Sequence, residues 1–299
     1  MAAIEGEALV RKLFVMVLTL LIAAIGAVAA GGTAHAADCP RLYVIAVPGT
    51  WADGPGLLGD VTSGLGADTQ VAYVRYDATA FPWEKAIYGK SKAQAVSNVT
   101  GLAVTMLRRC PATKIALTGY SQGADAAGDF ASEVGAGTER VRPQQVAGVV
   151  LLADPRRSSK DPLVGPPLTG QGSGGPRIGG MGWLTPVTRQ ICVPSDLYCN
   201  TPRDYYVTRV VGYLAETSDP TPSQYGQYQL EAAAIVNEML TQGGPGRIVQ
   251  ELSNARAREQ IIEFNKFIQS GSHGDYATFQ VKPGVTAVQW AHDYLAGLA

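Results

Sequence analysis

Apolar residues in this chain come in short unbroken blocks. Leu42-Tyr43-Val44-Ile45-Ala46-Val47 is one, stopped by Pro48-Gly49. Val71 to Tyr76, Lys114 to Thr118, Val146 to Leu152 and Arg189 to Val193 are others. Their length and β-branched content predict strands. Continuous apolar strands suit a sheet covered on both faces. Between the blocks the spacing changes. Ser91 to Arg109 contains no proline and repeats Ala, Val, Leu and Met at helical intervals, with Ser91 as a candidate N-cap and Pro111 just past the end. Ala124 to Val134 reads as a helix of small residues. Strand alternating with helix predicts right-handed βαβ units and a doubly wound, mainly parallel α/β sheet.

The second half differs. Residues 159–186 are crowded with Gly and Pro and read as a long surface loop. From about 204 to 270 the pattern is helical, broken at Gly243-Gly244-Pro245-Gly246, and Val285 to Leu298 reads as a terminal helix. No internal repeat is visible. The reading is one domain over 37–299, with a helical insertion at about 200–270. Residues 1–36 read as a secretory signal: Arg11 and Lys12 precede an apolar run from Leu13 to about Ala30, and Ala34-His35-Ala36 offers a cleavage site. The same run left uncleaved would be a membrane anchor. Either way the expectation is a secreted or cell-envelope protein.

Composition adds exclusions. The 299 residues are 46% hydrophobic and 16% charged, with a formal net charge of −1. No basic surface for nucleic acid is expected. Cys39, Cys110, Cys192 and Cys199 are an even number in an exported chain, which predicts two disulfides; four cysteines allow three connectivities. There is no C-x-x-C, and past the signal only His273 and His292 remain, so neither a metal nor a cofactor is expected.

Gly119-Tyr120-Ser121-Gln122-Gly123 is G-x-S-x-G, lying between a predicted strand and a predicted helix. A nucleophilic serine on so sharp a turn needs small flanking residues, and the helix N-terminus behind it favours a developing oxyanion. This context points to Ser121 as the nucleophile of an α/β-hydrolase-type esterase. Its base must be a histidine. His273 lies in the turn-forming stretch Gln269 to Gly274, whereas His292 lies inside a predicted helix, so His273 is preferred and His292 reads as a surface or packing residue. For the acid, Asp196 lies between two cysteines that could pin its loop, and Asp154 directly follows a strand. Asp275 stands too near His273 for triad geometry. Spacing leaves Asp196 and Asp154 both open, with Asp154 before Pro155 also readable as a turn residue.

These residues resemble the cutinase family of small secreted serine esterases. The resemblance rests on Gly119 to Gly123, on Cys192-Val193-Pro194-Ser195-Asp196-Leu197-Tyr198-Cys199, on Pro48-Gly49-Thr50 after the first strand, and on Cys110-Pro111. It covers 39–200 well and 270–299 more loosely. It implies Ser121 as nucleophile, Asp196 as acid and His273 as base. It also implies an oxyanion hole from the N–H groups of Thr50 and Gln122, and the disulfides Cys39–Cys110 and Cys192–Cys199. One feature departs: 77 positions separate Asp196 from His273. That long helical segment is similar to those of mycobacterial cell-envelope cutinase-like lipases and phage mycolyl-arabinogalactan esterases. Tyr205, Tyr206, Tyr225, Tyr228, Phe264 and Phe267 either line an acyl groove there or pack the inserted helices.

Three smaller features complete the picture. Asn98-Val99-Thr100 matches a glycosylation sequon but lies in a predicted helix. Asp125 and Asp129 read as a solvated helix face, and Arg156, Arg157 and Lys160 as a solvated basic cluster. The expected function is a secreted, monomeric carboxylic ester hydrolase acting on an ester or lipid substrate, with a cell-envelope lipid surface as a further partner. Acyl transfer by the same triad, or a catalytically silent envelope-binding protein, are the alternatives the sequence leaves.

Overall fold

The apolar blocks form strands where periodicity places them. The computed structural model describes residues 39–299, so the signal read over 1–36 lies outside the described residues. Strand β1 is Leu42–Val47, β2 is Thr69–Tyr73, β3 is Lys114–Tyr120, β4 is Val146–Leu152, β5 is Leu163–Val164 and β6 is Thr188–Ile191. They pair in the order β2-β1-β3-β4-β6-β5, every pairing parallel. Helix α1 (Leu58–Thr62) follows β1, α2 (Tyr88–Arg109) follows β2, and α3 (Gln122–Ala136) follows β3.

Alternate residues of β1 serve two different cores. Tyr43, Ile45 and Val47 pack with Ala95, Val99, Ala103 and Met106 of α2 and with Ala124, Ala127 and Phe130 of α3. Leu42, Val44 and Ala46 pack with Leu58 and Val61 of α1 and with Val288, Ala291 and Leu295 of the last helix, Ala287–Ala296. Side chains point alternately up and down a strand, so a sheet buried on both faces must be apolar at every position. The second strand stops three residues short of its predicted end. Helix α2 begins at Tyr88 rather than Ser91: Ser91 is buried one turn in, and its Oγ accepts the Thr79 N–H at 3.1 Å. A two-stranded antiparallel hairpin, Gln280–Lys282 with Val285–Thr286, precedes the last helix and was not legible.

Helices α4 (Tyr206–Glu216), α5 (Tyr225–Glu251) and α6 (Asn254–Ser270) form the insertion. Gly244, at φ 70° and ψ −179°, interrupts α5 inside the predicted Gly-Pro break. The insertion has a small apolar centre of its own, Tyr206, Ile235 and Met239. It docks largely through charge. Lys92 of α2 reaches Glu216 at 2.8 Å, Asp129 at 3.0 Å and Asp125 at 3.7 Å. Arg156 pairs with Glu231 at 2.7 Å; next to these pairs but outside the insertion, Arg177 pairs with Asp154 at 2.7 Å and Asp129 at 2.8 Å.

This network overturns three sequence expectations. Asp125 is fully buried and Asp129 nearly so; neither lies on a solvated face. Arg156 and Arg157 are buried, Arg157 donating to the carbonyls of Cys199 at 2.8 Å and Gly170 at 2.6 Å. Only Lys160 of that cluster is exposed. The Gly-rich stretch 159–186 is not a surface loop throughout. Gly170 to Gly175 is buried, and its glycines admit backbone contacts: a Cβ on Gly172 would stand 2.1 Å from the Pro155 carbonyl oxygen, and one on Gly212 2.3 Å from that of Ser173. Composition marks such a segment as irregular, but only the partner surface decides whether it is covered. Burial alone would lower the Lys92 pKa, yet the surrounding Asp125, Asp129 and Glu216 charges hold it well above the usual lysine value. The Asp125 carboxyl is pushed well above its ordinary range, first by burial and then by the charge of Glu216.

Among the described residues, no helix is long and apolar enough to cross a membrane, and no cluster of side chains is placed to hold a metal. Lys92→Met keeps the volume of the side chain but removes the cation that Asp125, Asp129 and Glu216 share, leaving Arg177 as the counter-charge of the two aspartates. Removing one partner of a buried charge cluster costs about 3–5 kcal/mol. The expected result is a fall in unfolding free energy of that size, read as a lower denaturant midpoint, together with faster proteolysis between 206 and 270. A midpoint equal to wild type would show that the network contributes nothing to docking.

Candidate active site

The sheet order reverses direction between β1 and β3, and in doubly wound sheets ligands bind at the carboxyl ends of the strands at that switch point. Thr50 lies just past β1 and Ser121 just past β3, so the two predicted residues flank this crevice. Ser121 holds φ 56° and ψ −125°, a sharp turn from strand into helix. Its N–H donates to the Leu152 carbonyl at 3.0 Å, and its own carbonyl accepts from Asp125 N–H at 3.0 Å. The motif glycines have a steric reason. A Cβ on Gly123 would stand 2.0 Å from the Val47 carbonyl oxygen and 2.3 Å from that of Pro48. A Cβ on Gly119 would stand 2.3 Å from the Gly123 carbonyl oxygen. Gly49 is similarly tight, its Cβ position lying 3.3 Å from the Ser121 Cβ, so the 48–50 turn sits directly against the serine.

His273 lies in a short 3-10 turn, Ser272–Ala277, entered through Gly271 at φ 70° after α6. Its Nε2 is 2.9 Å from Ser121 Oγ and its Nδ1 is 2.8 Å from Asp196 Oδ2. A proton on Nδ1 satisfies the buried carboxylate and leaves the lone pair of Nε2 facing the hydroxyl. Asp196 is fully buried in the loop after β6, closed by the Cys192–Cys199 disulfide. Its backbone is fixed as well: its N–H donates to Val193 at 2.9 Å, and its carbonyl accepts from Asn200 at 2.8 Å. Cys39 and Cys110 are each disulfide-bonded, and none of the four cysteines is free.

The other candidates lie elsewhere. Asp154 accepts from Arg177 at 2.7 Å and from Gln190 Nε2 at 2.8 Å inside the buried charge network, with no contact to either histidine. Asp275 is exposed. His292 sits on the last helix, its Nδ1 3.3 Å from the Val61 carbonyl, as a packing residue. Among the described residues, neither the Thr50 nor the Gln122 N–H donates to a backbone carbonyl; Gln122 adjoins Ser121, and Thr50 follows Gly49, which sits against it. The Gln122 side chain donates instead to the Thr79 carbonyl at 3.0 Å and that of Tyr88 at 3.3 Å, tying the elbow to the loop before α2.

Sequence reading missed the phenols. Tyr120, the variable residue of the motif, stacks on the His273 ring at 5.1 Å and donates its hydroxyl to the His273 carbonyl. Tyr198, inside the disulfide loop, meets the His273 ring edge-on at 4.7 Å. Tyr276 donates to Asp196 Oδ2 at 2.7 Å. Their spacing from Ser121, Asp196 and His273 was the available signal. Of the six insertion aromatics, Phe264 and Phe267 reach the site through Tyr198, at 5.8 and 5.1 Å. Tyr206 and Tyr228 are buried within the insertion, as the packing reading expects, and Tyr225 is exposed.

The sequence and the fold both have relatives. A family model described as Cutinase matches residues 44–225. A carboxylesterase Culp6 homolog of Corynebacterium glutamicum is 29% identical over 205 residues, 55% of this chain and 66% of that protein, so the match spans slightly less than two thirds of the relative. Among solved structures, the catalytic core domain of acetyl xylan esterase from Trichoderma reesei is 22% identical, with a TM-score of 0.48 over 67% of this chain and 99% of that one. Lysin B from Mycobacteriophage D29 is 17% identical, with a TM-score of 0.44 over 76% of this chain and 99% of that one.

Gly123→Ala forces the 48–50 turn away from the elbow. Displacing a reacting group by about 1 Å costs on the order of 10²-fold in rate. Covalent labelling of Ser121 by a fluorophosphonate is expected to slow by that factor, and labelling at the wild-type rate would show that the contact is immaterial.

Proposed function

The chain belongs to the cutinase family, and from that premise we propose that it is an exported serine esterase hydrolysing carboxylic esters through Ser121, His273 and Asp196. The observation that carries this is the continuous relay, 2.9 Å from Ser121 Oγ to His273 Nε2 and 2.8 Å from His273 Nδ1 to Asp196. In the first half-reaction His273 takes the Ser121 proton as Oγ bonds to the ester carbonyl carbon. The N–H groups of Thr50 and Gln122 receive the oxyanion. The imidazolium then returns its proton to the departing alcohol, leaving an acyl-enzyme. Water, deprotonated by His273, attacks that acyl carbon, and Ser121 recovers its proton. Asp196 holds the imidazole in one tautomer throughout. No other group is required for these steps. The disulfide-bonded cysteines favour a compartment outside the cytoplasm.

Two aromatic groups flank the serine and favour an apolar acyl substrate. Trp51, next to Thr50, is 61% exposed, Phe81 40% and Trp83 79%, and they stack in series at 5.8 and 4.7 Å. The second group is Tyr198, Phe264 and Phe267 against His273. Exposed contiguous aromatic surface marks a binding face. A lipid ester presented at a lipid surface, such as that of a cell envelope, meets both.

Ser121→Ala is expected to lower kcat on p-nitrophenyl butyrate by roughly 10⁶, and Asp196→Asn by roughly 10⁴. Full activity in Ser121→Ala would sink the assignment. The substrate reading has its own check. Trp83→Ala should raise KM for a long-chain ester at least about tenfold more than for an acetate, since burying a large aromatic is worth about 1.5–3 kcal/mol; equal increases would argue against an acyl-binding role.

A further inference from the structure

The buried Asp196 carboxylate receives three donors. Oδ1 accepts the Tyr198 N–H at 3.0 Å. Oδ2 accepts twice, from His273 Nδ1 at 2.8 Å and from the Tyr276 hydroxyl at 2.7 Å. Tyr276 is wholly buried. Its oxygen also accepts the Val193 N–H at 3.3 Å, so both the Tyr276 hydroxyl and Asp196 are anchored to the end of β6. Its ring meets Tyr120 edge-on at 5.6 Å, and Tyr120 stacks on His273. Burial, and then the nearby Asp196 charge, hold the Tyr276 phenol well above its usual pKa. It therefore remains a hydrogen-bond donor at any pH where an imidazole acts as base.

We propose that Tyr276 is a positioning residue that sets the basicity of His273 through the shared Asp196 oxygen. The inference rests on the Ser121–His273–Asp196 reading. An oxygen that accepts two hydrogen bonds offers less charge to each donor than an oxygen that accepts one. With the phenol in place, Oδ2 stabilises the His273 imidazolium less than an unshared carboxylate would. A less stabilised imidazolium returns its proton more readily to the leaving alcohol. The phenol also fixes the rotation of the carboxylate, so that Oδ2 and not Oδ1 meets Nδ1. Tyr276 touches neither Ser121 nor the substrate crevice; it acts only through Asp196.

Tyr276→Phe removes one oxygen and keeps the ring. Without the hydroxyl the charge on Oδ2 is offered to His273 alone, and the imidazolium becomes more stable. The acid limb of kcat/KM for p-nitrophenyl butyrate is then expected to move to higher pH, by about half a unit or more. Placing 3-fluorotyrosine at 276 strengthens the donor with little change in volume, and should move the limb the opposite way. A merely structural tyrosine would lower activity evenly across pH and leave the limb in place; that result overturns the proposal. If Tyr276→Phe does not fold, the fluorinated protein decides alone, and an unmoved limb again overturns it. Ser121→Ala runs in the same assay. Full activity there overturns the esterase reading and this inference with it, whereas an inactive Ser121→Ala beside an unmoved limb overturns only the role of Tyr276.

Discussion

Ser121 holds a backbone conformation with φ 56° and ψ −125°, which costs an L-residue of order 1–3 kcal/mol. Such strain persists only where its surroundings fix it, and here each neighbour does so. Strand β3 fixes the residue before it and α3 the residue after. The Leu152 carbonyl of β4 takes the Ser121 N–H. Gly119 and Gly123 let two pieces of backbone close to contact, and Gly123 abuts the carbonyls of Val47 and Pro48. That last contact carries the turn after β1 to the serine and so brings the Thr50 N–H beside it. The elbow and the 48–50 turn are therefore one packing unit.

A second constraint governs where the inserted helices lie. Their apolar centre is small, and buried ion pairs tie them to the rest of the fold, Lys92 of α2 with Glu216 and Arg156, just past β4, with Glu231. Buried ion pairs add little net stability over apolar packing of the same volume, but they tolerate only one arrangement. That property suits an insertion whose far end, α6, delivers His273. A shift along an apolar interface would cost little and would carry His273 away from Ser121, whereas a shift here would leave charges unpaired.

The relay itself is enclosed by phenols. Tyr120, Tyr198 and Tyr276 each stand next to, or within three residues of, a member of the Ser–His–Asp set. They come from three different segments and meet only in the folded chain. Between them they fix the His273 ring, the His273 carbonyl and the Asp196 carboxylate. Tyr120 covers a face of the His273 ring and Tyr198 meets it edge-on, while Nε2 faces Ser121 Oγ.

Much of this was legible in the residues alone. Unbroken apolar strands state a sheet covered on both faces, because a strand shows alternate residues to opposite sides. The two motif glycines state a close backbone approach, because only glycine permits it. The histidine choice followed from a short inventory, whereas spacing left Asp196 and Asp154 both open and only the family resemblance favoured Asp196. What the sequence could not state was which polar residues are buried. Asp125, Asp129, Arg156 and Arg157 have the composition of a solvated surface, and Gly170 to Gly175 that of a loop in water. Their burial depends on the insertion folding back over them, and no local pattern encodes a contact between segments tens of residues apart. The same holds for Tyr276. Its place on Asp196 was decided when α6 and the turn after it returned to the end of β6, since a hydrogen bond between distant residues exists only once the chain has brought them together.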